Sequence, residues 1–218
     1  MPAISADDQN WLKAKWQVLT DSLAAQKAAS NATWDGLVRD YSEPHRAYHN
    51  LSHIMAMLRH ADACRDHIRS AVTVEFAIWF HDVIYDTRAK DNEQRSAAFA
   101  RDAMRRMGIV DKLIASVEAC ILATQKHEPA PGVPDLPLFL DLDLAILGTP
   151  EAVYRQYSEA IRTEYNWVLG PAYRLGRGKV LKRFAQRPAL FFTSMMAARF
   201  EAQARHNLAW EIQELSFF

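Results

Sequence analysis

The sequence predicts an all-α protein folded as a single helical bundle. Apolar residues recur at spacings of three and four rather than two, the period of a helix with one buried side. Glycine is scarce, at seven in 218 residues, and the prolines gather where helices would stop. The length suits one domain with a full core, and no internal repeat, low-complexity segment or long linker divides the chain.

The first helix is expected to begin at residues 5–8, where Ser5 and Asp8 resemble a capping pair and Trp11, Trp16 and Leu19 supply a buried side. A second covers residues 33–41 and stops near Pro44. HNLSHIMAMLRHADAC, residues 49–64, gives a third with Asn50 or Ser52 as its cap. The fourth runs over residues 72–85, and the fifth over 92–107 with Gly108 as its stop. Residues 110–126 form the sixth, and the prolines of EPAPGVPDLP make a loop after it. A short helix follows over residues 138–147, closed by Gly148. Thr149 then caps a longer one with Pro150 at its first position. Pro171 starts another, and Pro188 separates it from a last helix reaching Leu215.

Lys+Arg and Asp+Glu both number 26, so bulk charge directs the chain to neither nucleic acid nor a membrane. MPAISADDQNW lacks the basic-then-apolar pattern of a secretory leader, and no apolar run approaches the ~20 residues of a membrane helix. A cytoplasmic protein is expected. Cys64 and Cys120 sit among apolar residues without a C-x-x-C, as reduced core cysteines do. GxxxxGK[ST], GxGxxG and GxSxG are all absent.

Three apolar segments are broken by imidazole or carboxylate. In FAIWFHDVIYDT, residues 76–87, His81 and Asp82 interrupt a run that should be buried, and a buried carboxylate needs a partner. In YHNLSHI, His49 and His53 are four apart and share a face if both are helical. In LFLDLDLAILG, Asp141 and Asp143 do the same. One divalent cation answers all three, because two imidazoles and two carboxylates both balance its charge and fill most of its coordination sphere. Such mixed donors suit Mn, Fe, Co, Ni or Zn. A lone histidine on an apolar helix is more often a hydrogen-bonded core residue, and His60 and His67 are read as that or as plainly exposed.

The order His, His-Asp, Asp on separate helices, with YHNLSHI and FLDLDLAILG as its flanks, resembles the HD superfamily of metal-dependent phosphohydrolases. HDVIYDT is similar to the His-Asp helix of its nucleotide hydrolases, and the closest likeness is to a bacterial subgroup described as predicted HD phosphohydrolases. The resemblance covers about residues 40–210. It implies one HD-like domain over residues 1–218, with residues 1–40 as a helical extension packed on it. It also implies His53, His81, Asp82 and one of Asp141 and Asp143 as ligands of a divalent ion (Mn, Mg, Co, Ni, Fe or Zn). Asp143 is preferred because the superfamily's ligands at this point are usually followed by a helix-forming apolar run, which leaves Asp141 as a cap or a support. His49 is the alternative first ligand or a phosphate contact.

The implied activity is hydrolysis of a nucleotide or other small phosphoester by a metal-activated water. Asp86, four residues after Asp82, and Glu93 are the candidate general bases, with Asn92 either at the site or capping the fifth helix. Arg46, His49, His127 and Arg177 are the candidate substrate contacts. Arg177 belongs to a basic run with Arg174, Lys179, Lys182 and Arg183, and such runs more often coat a solvated face. Arg88 and Lys90 add positive charge after the His-Asp segment, and Tyr165, Trp167 and Tyr173 are read as core or as a stacking wall. The expected partner is a small phosphoester, with no nucleic acid and no membrane, and a homodimer is compatible with it. Two alternatives stay open: an iron-dependent oxygenase on the same fold, or a non-enzymatic all-α domain with a structural metal.

Overall fold

Ser5 opens the first helix as its sequence predicts: its Oγ accepts the Asp8 N–H at 3.1 Å. The computed structural model describes residues 4–216. Within them lie ten α-helices and no strand. They are α1 (Ala6–Asp21), α2 (Lys27–Tyr41), α3 (Leu51–Ala63), α4 (Ala71–Phe80), α5 (Asn92–Arg106), α6 (Asp111–Ala123), α7 (Leu136–Leu144), α8 (Glu151–Glu164), α9 (Gly170–Ala185) and α10 (Ser194–Glu214), with 3₁₀ turns at Arg65–His67 and Ala145–Gly148. Asn50 caps α3, taking the Ser52 N–H at 2.9 Å. Gly108, at φ 80°, ends the turn after α5 in the left-handed conformation glycine adopts without cost. Cys64 and Cys120 are free and buried. No helix among the described residues is long and apolar enough to cross a membrane. The first three residues of the expected non-leader N-terminus lie outside the described residues.

Helix α4 is the axis of the bundle. Val74 and the unbroken run from Phe76 to Phe80 are buried, so it is apolar all round and must be enclosed. Helices α3, α5, α6 and α7 pack against it. Trp16 of α1 adds edge-on contacts to Phe76, Trp79 and Phe80, with ring centroids 5.7 to 6.0 Å apart. Its indole N–H donates to Ser30 of α2. Residues from α1 and α2 therefore share one continuous core with the rest.

Both ends of α4 are fixed by residues distant in sequence. At its start, the buried Asp135 carboxylate accepts the Arg69 N–H at 3.0 Å and the Ser70 N–H at 2.6 Å, donors that a helix start leaves without partners. At its end, the Tyr41 hydroxyl donates to the Trp79 carbonyl at 3.0 Å. Arg46 donates to the carbonyls of Asp82 at 2.6 Å and Val83 at 2.9 Å. That network lets the helix stop at Phe80, five residues short of the expected 85. His81 becomes its C-terminal cap, and Asp82 lies in the turn beyond.

Two expected caps are replaced. Thr149 donates from Oγ1 to the Ile146 carbonyl at 2.8 Å, closing the 3₁₀ turn, and Pro150 takes the cap position of α8. Asn92 does not cap α5; its amide exchanges hydrogen bonds with the backbone of Asp86 at 2.9 and 3.1 Å. The second helix also begins earlier than expected, at Lys27.

Helix α10 crosses the Ala145–Gly148 turn at backbone distance. A Cβ on Gly148 would lie 2.6 Å from the Phe200 carbonyl oxygen and 2.9 Å from its Cα. Asn207 donates from the same helix to the carbonyls of Leu147 and Thr149, each at 2.8 Å, so α10 cannot back away freely. Gly148→Ala is therefore expected to cost about 1–3 kcal/mol, read as a lowered urea midpoint. An unchanged midpoint would mean that this crossing is looser than described.

Candidate metal centre

Helices α3, α4 and α7 meet one another and carry the polar groups that interrupt their apolar faces. His53 comes from α3, His81 from the cap of α4 and Asp143 from the end of α7. The Nε2 atoms of His53 and His81 are 3.2 Å apart. Asp143 Oδ1 lies 3.2 Å from the first and 3.7 Å from the second. These three donor atoms all fall within 4.8 Å of one another. Asp82 Oδ2 joins them, 3.0 Å from His81 Nε2 and 4.0 Å from His53 Nε2. Adjacent residues on an α-helix would point about 100° apart. Because α4 ends at Phe80, Asp82 is free of that constraint and faces the same point as His81.

The tautomer of His81 is set from outside the cluster. Its Nδ1 lies 3.0 Å from the Ile78 carbonyl, which can only accept, so Nδ1 carries a proton and Nε2 faces inward. Two Nε2 atoms at 3.2 Å beside two carboxylates need a shared proton or a cation between them. Burial alone would lower the His81 pKa, but Asp82 and then Asp143 outweigh it and raise it to about 9. Burial dominates at His53, which is lowered. Asp143 is held well below the ordinary carboxylate range: burial opposes this, and hydrogen bonds from His127 and His53 with the charge of His81 overcome it. Asp82 is lowered against its own burial, chiefly by His81. The cluster thus keeps its carboxylates ionised and holds a proton on the inward imidazole. Two imidazoles and two carboxylates without a thiol fit a borderline divalent ion.

A second carboxylate–imidazole pair stands beside this group. Glu164, buried on α8, accepts the N–H groups of Tyr48 at 2.7 Å and His49 at 2.9 Å on Oε1. Its Oε2 meets His49 Nδ1 at 2.7 Å and the Tyr85 hydroxyl at 2.8 Å. Burial would raise the Glu164 pKa, but the His49 charge and these donors bring it down to about 2. His49 is raised in turn: burial opposes, and Glu164 and then Asp82 prevail. His49 Nε2 points toward the cluster, 4.0 Å from Asp82 Oδ2. Sequence reasoning missed Glu164. Its signal was present, since Tyr154, Tyr157, Ile161 and Glu164 share one buried face of α8, and a carboxylate on that face needs a partner as Asp143 does.

Family models, curated proteins and solved structures match this chain in no case.

A cavity of about 650 Å³ opens over Asp82, Asp143, His49 and His127. Its position sorts the remaining candidates. His127 reaches Asp143 Oδ2 at 2.8 Å, on the oxygen opposite His53, and sits at φ 48°, with Arg187 donating to its carbonyl. Glu93 and Lys90 line the cavity wall. Asp86 does not: it is exposed, and its carboxylate takes the Arg88 N–H within its own turn at 2.9 Å. The expectation that it shares a helical face with Asp82 fails because α4 has already ended.

Asp141 also turns away. Its carboxylate accepts the N–H of Phe192 at 2.7 Å and both the N–H and hydroxyl of Thr193, at 2.8 and 2.6 Å, and so anchors the start of α10. Arg46 is a structural clamp rather than an anion contact, its donors taken by Glu43 and by the carbonyls of His49, Asp82 and Val83. Arg177 lines the cavity but is held by Glu211 through two hydrogen bonds at 2.8 and 3.1 Å. Trp167 leaves the site, donating to Thr87 at 2.8 Å, whereas Tyr165 and Tyr173 line the cavity.

Proposed function

We propose that the chain is a metal-dependent phosphohydrolase acting on a nucleotide or another small phosphoester. The observation that carries this reading is the convergence of His53 Nε2, His81 Nε2 and Asp143 Oδ1, with Asp82 beside them, at the floor of an open cavity. The resemblance of the same residues to the HD phosphohydrolases supports it. His53, His81, Asp82 and Asp143 would hold the ion, which when bound supplies a Lewis acid for a phosphoryl oxygen and makes a coordinated water more acidic.

The other residues have distinct tasks. His127 orients Asp143 through the oxygen that does not face the histidines. His49, fixed and kept charged by Glu164, presents Nε2 toward the cavity floor, where a charge-assisted hydrogen bond to phosphate is strong. Glu93 is the candidate general base that lines the cavity, and Lys90 adds a cation on the same wall. Tyr85 stacks on His49 with ring centroids 4.2 Å apart and limits its rotation.

The test is phosphate release by metal-stripped protein resupplied with Mn²⁺, Mg²⁺, Co²⁺, Ni²⁺, Fe²⁺ or Zn²⁺, over nucleotides and an aryl phosphate. Turnover should depend on the ion and be lost in Asp82→Ala. No release with any ion, from protein that demonstrably binds one, overturns the reading.

A further inference from the structure

Charged groups line the floor of the cavity, with Asp82 and Asp143, and one wall, with Glu93 and Lys90. The rest of the wall is largely aromatic and aliphatic, with Tyr157, Tyr165, Tyr173, Phe184, Ile161 and Val180 among its residues. Burial pushes the phenols up, Tyr173 to about 12, so these rings stay neutral near neutral pH. Free positive charge is sparse. Arg177 is neutralised by Glu211, and Lys90 and Arg183 are exposed at the rim. Three carboxylates, Asp82, Glu93 and Asp143, face the same space.

Such a cavity fits one phosphoryl group and a large apolar remainder. A phosphate monoester carries about two negative charges near neutral pH; Asp82 and Asp143 already offset a divalent ion, so the phosphoryl group would be met by the Lewis acidity of that ion and by His49 at the floor. Beyond His49 and the ion at the floor, each further phosphate would lie among neutral rings and near Glu93, with Lys90 and Arg183 to meet it. The volume of about 650 Å³ is that of a drug-sized pocket and leaves most of its room beyond the phosphoryl group.

We infer that the site takes a phosphate monoester whose alcohol carries an aromatic or apolar body, and that it discriminates against polyphosphates. This rests on the phosphohydrolase reading. In the reaction, water adds to phosphorus, the bond from phosphorus to the ester oxygen breaks, and the alcohol leaves with one of the water protons. Inorganic phosphate is the second product, and no oxidant or reductant is needed.

The experiment compares kcat/KM of the ion-loaded protein for 2-naphthyl phosphate, a nucleoside 5′-monophosphate, glycerol phosphate, ATP and pyrophosphate. The naphthyl and nucleoside esters should exceed glycerol phosphate on the order of ten- to a hundredfold, the worth of burying one aromatic body, and should exceed both polyphosphates. Val180, 40% exposed in the cavity wall, gives a variant that should still fold: Val180→Trp narrows the space and should reduce the naphthyl-to-glycerol ratio several-fold. Ion-dependent turnover that favours ATP, pyrophosphate or glycerol phosphate overturns this inference and leaves the phosphohydrolase standing. A ratio unmoved by Val180→Trp also overturns it. Hydrolysis of none of the five overturns both.

Discussion

His81→Ala is expected to abolish tight ion binding and with it all ion-dependent turnover. His81 Nε2 is the atom closest to the rest of the cluster, 3.0 Å from Asp82, 3.2 Å from His53 and 3.7 Å from Asp143. Loss of residues that merely orient a ligand already costs about 10–100-fold in metal affinity, so loss of this donor should cost at least a hundredfold. The variant also leaves Asp82 and Asp143 facing one another without the imidazolium that now offsets them, and both carboxylates should titrate higher. Calorimetry with Mn²⁺ or Zn²⁺ in two buffers of different ionisation enthalpy reads affinity and proton release together. Because His81 holds its proton up to about pH 9 in the ion-free cluster, the wild type should release about one proton per ion at pH 7. His60→Ala is the control: His60 lies on α3 with His53 but packs against Phe200 at 5.5 Å between ring centroids, away from the cluster. Ion affinity retained in His81→Ala would put the metal centre elsewhere.

The residues of this cluster were legible because each one breaks a helical apolar pattern, and only a few chemical partners satisfy a buried imidazole or carboxylate. Helix starts at Ser5 and Asn50 were legible for a local reason, since a cap and the N–H it serves lie within three residues. The end of α4 was not. It depends on Arg46, whose targets lie 36 and 37 residues further along the chain. The ion pair of Arg177 was hidden on the same ground, as its partner Glu211 is 34 residues away. A basic residue advertises its charge in the sequence but not the group that consumes it. Asp141 and Asp143 differ by two positions, about 200° around a helix, so one had to face the histidines and the other α10. The preference for Asp143 comes from the resemblance, not from the helical geometry of the segment, which leaves the two sides equivalent.

Glu164→Gln should destabilise the protein strongly at neutral pH and hardly at all in acid. The carboxylate falls from an ordinary value of 4.5 to about 2 in the fold, a shift worth roughly 3 kcal/mol. Since the folded value is the lower one, this stability is present above about pH 4.5 and is lost as the pH falls toward 2. Glutamine has a similar shape but no charge, so the wild-type and variant curves should converge over that window. Asp82 and Asp143 also titrate in acid in both proteins, and only the smaller part of the Asp82 shift that comes from His49 enters the difference. At the alkaline end the gap should narrow again once His49, raised by the same pair, gives up its proton. The substitution also frees the His49 ring, so KM for a phosphoester should rise while ion affinity holds, because Glu164 approaches none of the four cluster atoms. Urea unfolding of both proteins at pH 7, 5 and 3 measures the gap directly. An equal gap at pH 3 and pH 7 would mean that Glu164 acts through shape and neutral hydrogen bonds, and that His49 is not held as a cation above the cavity floor.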